Sequence, residues 1–138
     1  MRHKMFNLRG RRAVVVGGTS GIGRSISLGL ACAGANVVAT SRSADAVDAI
    51  ASEIEGIGRS TLRITTDVAT RASLQALHDR VVADLGDVDI LVNSAGVTKR
   101  VPTLECSDED WDEIMSVNLK GTLYFKPGFS GVPKRPCA

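Results

Sequence analysis

Two short stretches carry the residues best suited to chemistry. The first is "VVVGGTSGIGR", where Gly17, Gly21 and Gly23 stand between an apolar run and a helix-like segment. Glycine tolerates positive φ and lets a backbone come close to a ligand. A helix opening at Gly21 to Arg24 would present unpaired N–H groups and the positive end of its dipole, which suits a diphosphate. A plain tight turn would use the same glycines; the position after a strand and before a helix is the context that favours a nucleotide. The second stretch is "VNLKG", with Asn118 four residues after Ile114 and three after Met115. That spacing places its amide on the apolar side of a helix. A buried amide left unpaired costs about 1–3 kcal/mol, so Asn118 is either satisfied by backbone or water, or holds something functional.

The elements that must position these residues follow from periodicity. "AVVV" (13–16) reads as a strand, and the helix after it shows Ile22, Ile26, Leu30 and Ala33 on one face, stopping at Gly34. "NVVAT" (36–40) is a second strand; the next helix caps at Ser43, carries Val47, Ile50 and Ile54, and stops at Gly56. "TLRIT" (61–65) alternates Leu62 and Ile64 as a third strand. A helix with Leu74, Leu77, Val81 and Leu85 ends at Gly86, and "DILVN" (89–93) is a fourth strand. Ser107, with Asp110 three residues on, caps a last helix whose expected face is Trp111, Ile114, Met115 and Asn118. Strand and helix alternate throughout, the pattern of a doubly wound parallel α/β sheet with helices on both faces. Residues 1–125 form this unit. Residues 126–138 hold three of the four prolines and no periodicity, and read as an irregular tail.

Bulk properties agree with one soluble domain. The chain has 138 residues, 43% hydrophobic and 23% charged, with a net charge of +2. That charge is too small to call for nucleic acid, and no apolar run of about 18 residues exists to span a membrane. Cys32, Cys106 and Cys137 are far apart and the only histidines are His3 and His78. No metal site or disulfide framework is expected, and reduced thiols fit a cytoplasmic protein.

With these motifs in order, the chain resembles the short-chain dehydrogenase/reductase family over residues 8 to about 125. The spacing Gly-x-x-x-Gly-Ile-Gly at Gly17, Gly21 and Gly23 looks like its cofactor turn, with Thr19, Ser20 and Ile22 inside it. Asp67 and Val68 resemble its adenine-contacting pair, and "NSAG", with Asn93, Ala95 and Gly96, its Asn-Asn-Ala-Gly strand end. "VNLKG" resembles the helix bearing its catalytic Asn, here Asn118. Gluconate 5-dehydrogenase-like and oxoacyl-carrier-protein-reductase-like members look most similar. The resemblance implies a Rossmann-type sheet in strand order 3-2-1-4, cut to about four strands, and a nicotinamide dinucleotide as partner. Val16 replaces the family's usual Thr and Ser94 its second Asn, each removing a hydrogen-bonding group worth about 1 kcal/mol.

The end of the second strand identifies the nucleotide. An acid there binds the ribose 2′-hydroxyl of NAD. Here Ser41 holds that place and Arg42 follows. An arginine fork grips a 2′-phosphate, so NADP(H) is expected over NAD(H), the alternative being that Arg42 is a solvated loop charge. Asp67 is expected to take the adenine amino group, the alternative being a helix-capping acid. Asp45 and Asp48 read as acids of a helix's first turn.

In the family, Asn118 would hold a water in a proton relay, on a local distortion of its helix, serving a Tyr, a Lys four residues later and an upstream Ser. The only tyrosine here is Tyr124; Gly128 stands four residues on, and Lys126 and Ser130 lie in the tail. None matches the required geometry. The expectation is a truncated oxidoreductase with its cofactor half present and its Ser, Tyr and Lys absent, acting on an alcohol or ketone only if completed. The abrupt change after Phe125 suggests a frameshift or truncated gene product. Alternatives are a non-catalytic nucleotide-binding or interaction fragment and a nonfunctional product. The fourth strand would be an open edge, inviting self-association.

Overall fold

A computed structural model describes residues 6–124 of the chain. The sequence β1 (Arg12–Val16), α1 (Gly21–Cys32), β2 (Asn36–Thr40), α2 (Ala44–Gly56), α3 (Arg71–Leu85) and β3 (Ile90–Asn93) builds a parallel sheet of order β2-β1-β3. Val14 pairs with Val38 on one side and Leu91 on the other. After β3 come a 3₁₀ turn (Thr103–Glu105), α4 (Asp108–Met115) and a π-helical turn (Ser116–Lys120), with helix resuming over 121–124.

Central strand β1 is buried from Ala13 to Val16, none more than 1% exposed, because helices cover both faces. Successive side chains of a strand alternate between faces. Val14, Val16 and Val38 pack with Leu74, Leu77 and Val81 of α3, and with Val68 and Val117. Ala13, Val15, Val37 and Ala39 pack with Ala31 of α1 and Ile50 and Ile54 of α2. The two layers of side chains sandwich the sheet and hold its strand ends level.

One polar cluster fixes the start of this sheet. The Asp89 carboxylate accepts the Arg12 N–H at 3.0 Å, Arg12 Nε at 3.2 Å and an Arg11 guanidinium N–H at 3.1 Å. Burial alone would raise the Asp89 pKa, but the Arg12 amide and the two guanidiniums outweigh it and hold it below the ordinary carboxylate value. The Asp89 N–H in turn donates to Arg12 O at 2.9 Å, so β1 and β3 enter the sheet in register.

Three sequence expectations are corrected. The run 61–65 is not a strand, so among the described residues the sheet has three strands and lacks the outermost member of the expected order. The segment does lie beside β2: Val37 N–H donates to Ser60 O and Thr66 N–H to Ser41 O at its two ends. Between them the Thr40 hydroxyl takes the Ile64 carbonyl, replacing a ladder bond with a side-chain bond. Arg63 holds the outside of this segment through Asp48 and Glu55 of α2.

The buried face of α1 is only partly the one expected: Ile26 and Leu30 pack half-buried against the core. Gly23, Ser27 and Ala31 are buried, whereas Ile22 is 77% exposed. Helix and sheet approach closely here, so small residues occupy the contact. In the last helix Val117, not Asn118, is buried, and Trp111 is 58% exposed while Ile114 and Met115 are half-buried. The π turn departs from the 3.6-residue period on which the expected face was drawn.

The caps match their sequence signals. Ser43 Oγ accepts from Ala46 N, Ser107 Oγ accepts from Asp110 N, Gly86 ends α3 at φ 95°, and Asp45 lies in the first turn of α2. Among the described residues no helix is long and apolar enough to cross a membrane. The tail expected over 126–138, with Lys126, Gly128 and Ser130, lies outside the described residues.

Candidate functional site

The carboxyl ends of three parallel strands open on one side of the sheet, where a cleft of about 410 Å³ lies. In doubly wound sheets this is where the strand order reverses and ligands bind. Each wall is the segment that leaves a strand or runs beside one.

The first wall is the turn after β1. Gly17 has φ 75°, and a Cβ on it would lie 2.6 Å from Ala95 N. Both Gly17 and Gly18 N–H groups donate to Thr40 O, at 2.9 and 3.2 Å, pinning the turn to the end of β2. Ser27, fully buried, has its hydroxyl 3.1 Å from Gly18 O and 2.9 Å from Gly23 O, so one side chain of α1 ties both arms of the turn together. Ser20 is the N-cap of α1, yet its hydroxyl caps nothing in the helix. The N–H groups of the first turn have no acceptor within a helix; here Ser20, Ile22 and Gly23 of that turn line the cleft.

Ser41 and Arg42 form the second wall, directly after β2. Ser41 Oγ accepts from Ser43 N at 3.4 Å. Arg42 is exposed and, among the described residues, makes no ion pair. Thr66, Asp67 and Val68 form the third wall. Thr66 is buried with its hydroxyl 2.9 Å from that of Thr40. Asp67 is not the cap of α3, which is Thr70. One carboxylate oxygen accepts the Ala69 N–H at 3.0 Å, and the Asp67 N–H donates to Ser73 Oγ at 3.0 Å. Asp67 itself lines the cleft.

The fourth wall runs from Ser94 to Val97, and Val117 closes the bottom. Asn118 does not line the cleft. Its amide instead grips Val97, accepting the Val97 N–H at 2.8 Å and donating to Val97 O at 2.9 Å. The side chain is exposed, held by backbone on both of its polar atoms. Farther out, Lys99 bonds Asp110 and, at 3.0 Å, Glu113 of α4. These two acids raise the Lys99 pKa, the Asp110 bond most.

Of the residues named from sequence, the cleft brings together Gly17, Ser20, Ile22, Gly23, Ser41, Arg42, Asp67, Val68, Ala95 and Gly96. Thr19, Gly21, Asn93 and Asn118 do not line it. Sequence reasoning did not pick out Thr66, Val97 and Val117. Thr66 is adjacent to Asp67, and Val117 lies three residues after Ile114, so each had a positional signal.

The family model for short chain dehydrogenase matches residues 11–128. The chain is 42% identical over 118 residues to a D-threitol dehydrogenase of Mycolicibacterium smegmatis, covering 86% of this chain and 45% of that protein. It is 39% identical over 123 residues to a gluconate 5-dehydrogenase of Gluconobacter oxydans, covering 87% and 47%. Among solved structures it resembles the Pseudomonas aeruginosa RhlG/NADP active-site complex, with TM-score 0.88, 29% identity, and coverage of 99% of this chain and 53% of that one. The chain therefore spans about half the length of the curated relatives it matches.

Proposed function

The chain belongs to the short-chain dehydrogenase family, and from that premise we propose that it is the NADP(H)-binding half of an oxidoreductase acting on an alcohol or ketone. The observation that carries this reading is the backbone-lined turn at Gly17 to Gly23. A Cβ on Gly17 or Gly23 would collide with backbone atoms at 2.6 and 1.9 Å, so at these two positions the turn packs main chain against main chain. A diphosphate fits such a surface, because first-turn amides supply donors and the helix dipole favours its charge.

The remaining contacts follow from the walls. Arg42, exposed at the end of β2, would hold the 2′-phosphate, and Ser41 beside it offers no carboxylate to repel one. The Asp67 carboxylate would accept the adenine amino group, with Val68 against the ring. Ala95 and Gly96 would border the ribose side. The nicotinamide, when bound, supplies or accepts the hydride. This chain's own residues bind and orient the dinucleotide and exclude water from one side of it.

For the 138-residue polypeptide on its own, the reading is binding without turnover. Its one tyrosine, Tyr124, is half-buried with the Arg71 guanidinium carbon 4.8 Å from its ring centroid, and Gly128 stands four positions on. A missing general acid–base group lowers the rate by about 10²–10⁴. A cytoplasmic location belongs to the same proposal.

The test is a titration of the purified chain with NADPH and with NADH, followed by fluorescence or calorimetry. NADPH is expected to bind more tightly. Failure of both to bind at about millimolar concentration, a free energy of about 4 kcal/mol, would refute the proposal.

A further inference from the structure

The cleft wall from Ser94 to Val97 is fastened at both ends to a single turn of helix. At its start, Asn93 Nδ2 donates to the Thr122 hydroxyl at 2.7 Å. At its end, the Asn118 amide holds Val97 through two bonds of 2.8 and 2.9 Å. The two fastenings meet, because Thr122 Oγ1 donates its hydrogen to Asn118 O at 3.1 Å. A hydroxyl has one hydrogen and two lone pairs, so the direction of this chain is fixed: Asn93 donates to Thr122, and Thr122 to Asn118. The π turn at Ser116–Lys120 opens the helix where Asn118 sits, and Gly121 seats it, since a Cβ there would lie 3.2 Å from Val68 O.

We propose that Thr122 is a positioning residue for the cleft: its hydroxyl joins the Asn93 and Asn118 fastenings and so sets the 94–97 wall against a bound dinucleotide. Thr122 lies outside the cleft and acts through Asn93 and Asn118. All three are exposed, so water competes for these bonds and the effect is local, confined to the wall and without global unfolding. The inference about the wall stands without ligand; its consequence for binding rests on the NADP(H) reading above.

Amide hydrogen exchange on the full 138-residue chain, without ligand, tests the wall directly. Thr122→Val keeps the shape and removes the hydroxyl. Exchange at Ser94 and Val97, whose N–H groups donate to Val16 O and Asn118 Oδ1, is expected to accelerate about fivefold, the effect of losing one ordinary hydrogen bond, with the melting temperature of the core unchanged. Thr122→Ser is expected to restore the slow rate. Asn93→Ala, which cuts the other end, is expected to accelerate the same amides. Unchanged exchange at 94–97 in both Thr122→Val and Asn93→Ala overturns the proposal, as does acceleration that Thr122→Ser fails to reverse. NADPH titration of the same variants then separates the two readings. If the unmodified chain does not bind NADPH, the functional reading fails while the exchange result still decides the role of Thr122. If it binds, Thr122→Val is expected to weaken it about three- to tenfold, and equal affinity overturns the link to binding.

Discussion

A methyl group on Gly23 would lie 1.9 Å from the carbonyl oxygen of Gly17. Helix α1 and the turn after β1 therefore touch main chain to main chain, and this contact shapes the first wall of the cleft. Gly23→Ala must push the helix off the turn. Overpacking of this kind costs about 1–3 kcal/mol, and here the displaced atoms are those proposed to hold the diphosphate. The expected outcome is a lower melting temperature and NADPH binding weakened by about tenfold or more. Calorimetric titration beside a thermal melt measures both, and unaltered affinity would show that the turn is not the diphosphate site.

On the proposed reading, the guanidinium of Arg42 would supply the contact that distinguishes the two dinucleotides. A hydrogen bond to a charged group contributes about 1.5–3 kcal/mol. Arg42→Ala is therefore expected to weaken NADPH binding by about ten- to a hundredfold and to leave NADH nearly unchanged. Parallel titrations give the ratio directly. Equal loss for both dinucleotides would place Arg42 elsewhere than at a 2′-phosphate.

Asp89 links pH to the stability of the sheet. Its side chain is only 9% exposed, and its folded pKa is depressed by the Arg12 amide and the neighbouring guanidiniums against the opposing effect of burial. A depressed carboxylate stabilises above its unfolded pKa of about 3.9 and loses that contribution as pH falls through the folded value. Asp89→Ala is expected to lower stability by about 2 kcal/mol at pH 7. That deficit should shrink below about pH 4. Urea melts at several pH values check this, and a deficit independent of pH would contradict it.

Thr40 carries part of what a strand ladder would carry. Its hydroxyl, fully buried, bonds Ile64 O and lies 2.9 Å from the Thr66 hydroxyl. Thr40→Val leaves a half-buried carbonyl and the buried Thr66 hydroxyl short of a partner, at about 1–3 kcal/mol. The same change should loosen the Thr66–Val68 wall. Faster amide exchange at Thr66, whose N–H donates to Ser41 O, is the expected local sign; slow exchange there would assign the tie to backbone alone.

How far the sequence could be read depended on whether a residue's role was local. Continuous apolar runs announced β1 and β2 because those strands are covered on both faces, and β3 with them although its cover is partial. Ser43 and Ser107 announced their caps because the bonds they accept come from three residues away. Asp67 announced a cleft position through its place after the 61–65 run, and the glycines through theirs after β1. The failures arose where a partner distant in sequence decides. Leu62 and Ile64 alternate as a strand would, but the side chain of Thr40 takes the carbonyl that the ladder needed. Ile22 looked like core by period, yet close approach of α1 to the turn selected Gly23, Ser27 and Ala31 instead. Asn118 was placed inward by a 3.6-residue period that its own π turn interrupts, and its real partner, Val97, is a backbone group no side-chain pattern reveals.

Strand β3 has one hydrogen-bonded neighbour, β1, among the described residues, and its apolar residues Ile90, Leu91 and Val92 are only partly buried. Nearby helix surface adds Leu119 at 60% and Leu123 at 55% exposure. An unpaired edge beside apolar surface favours association, since backbone groups and hydrocarbon are both relieved of water by a second chain. The isolated polypeptide is therefore expected to self-associate. Sedimentation from about 1 to 100 μM should show a rising mean mass, and the melting temperature should climb with concentration, because any equilibrium that buries surface only in the associated folded state stabilises by mass action. A single monomeric species with a concentration-independent, reversible melt would mean that the edge is protected by the chain itself.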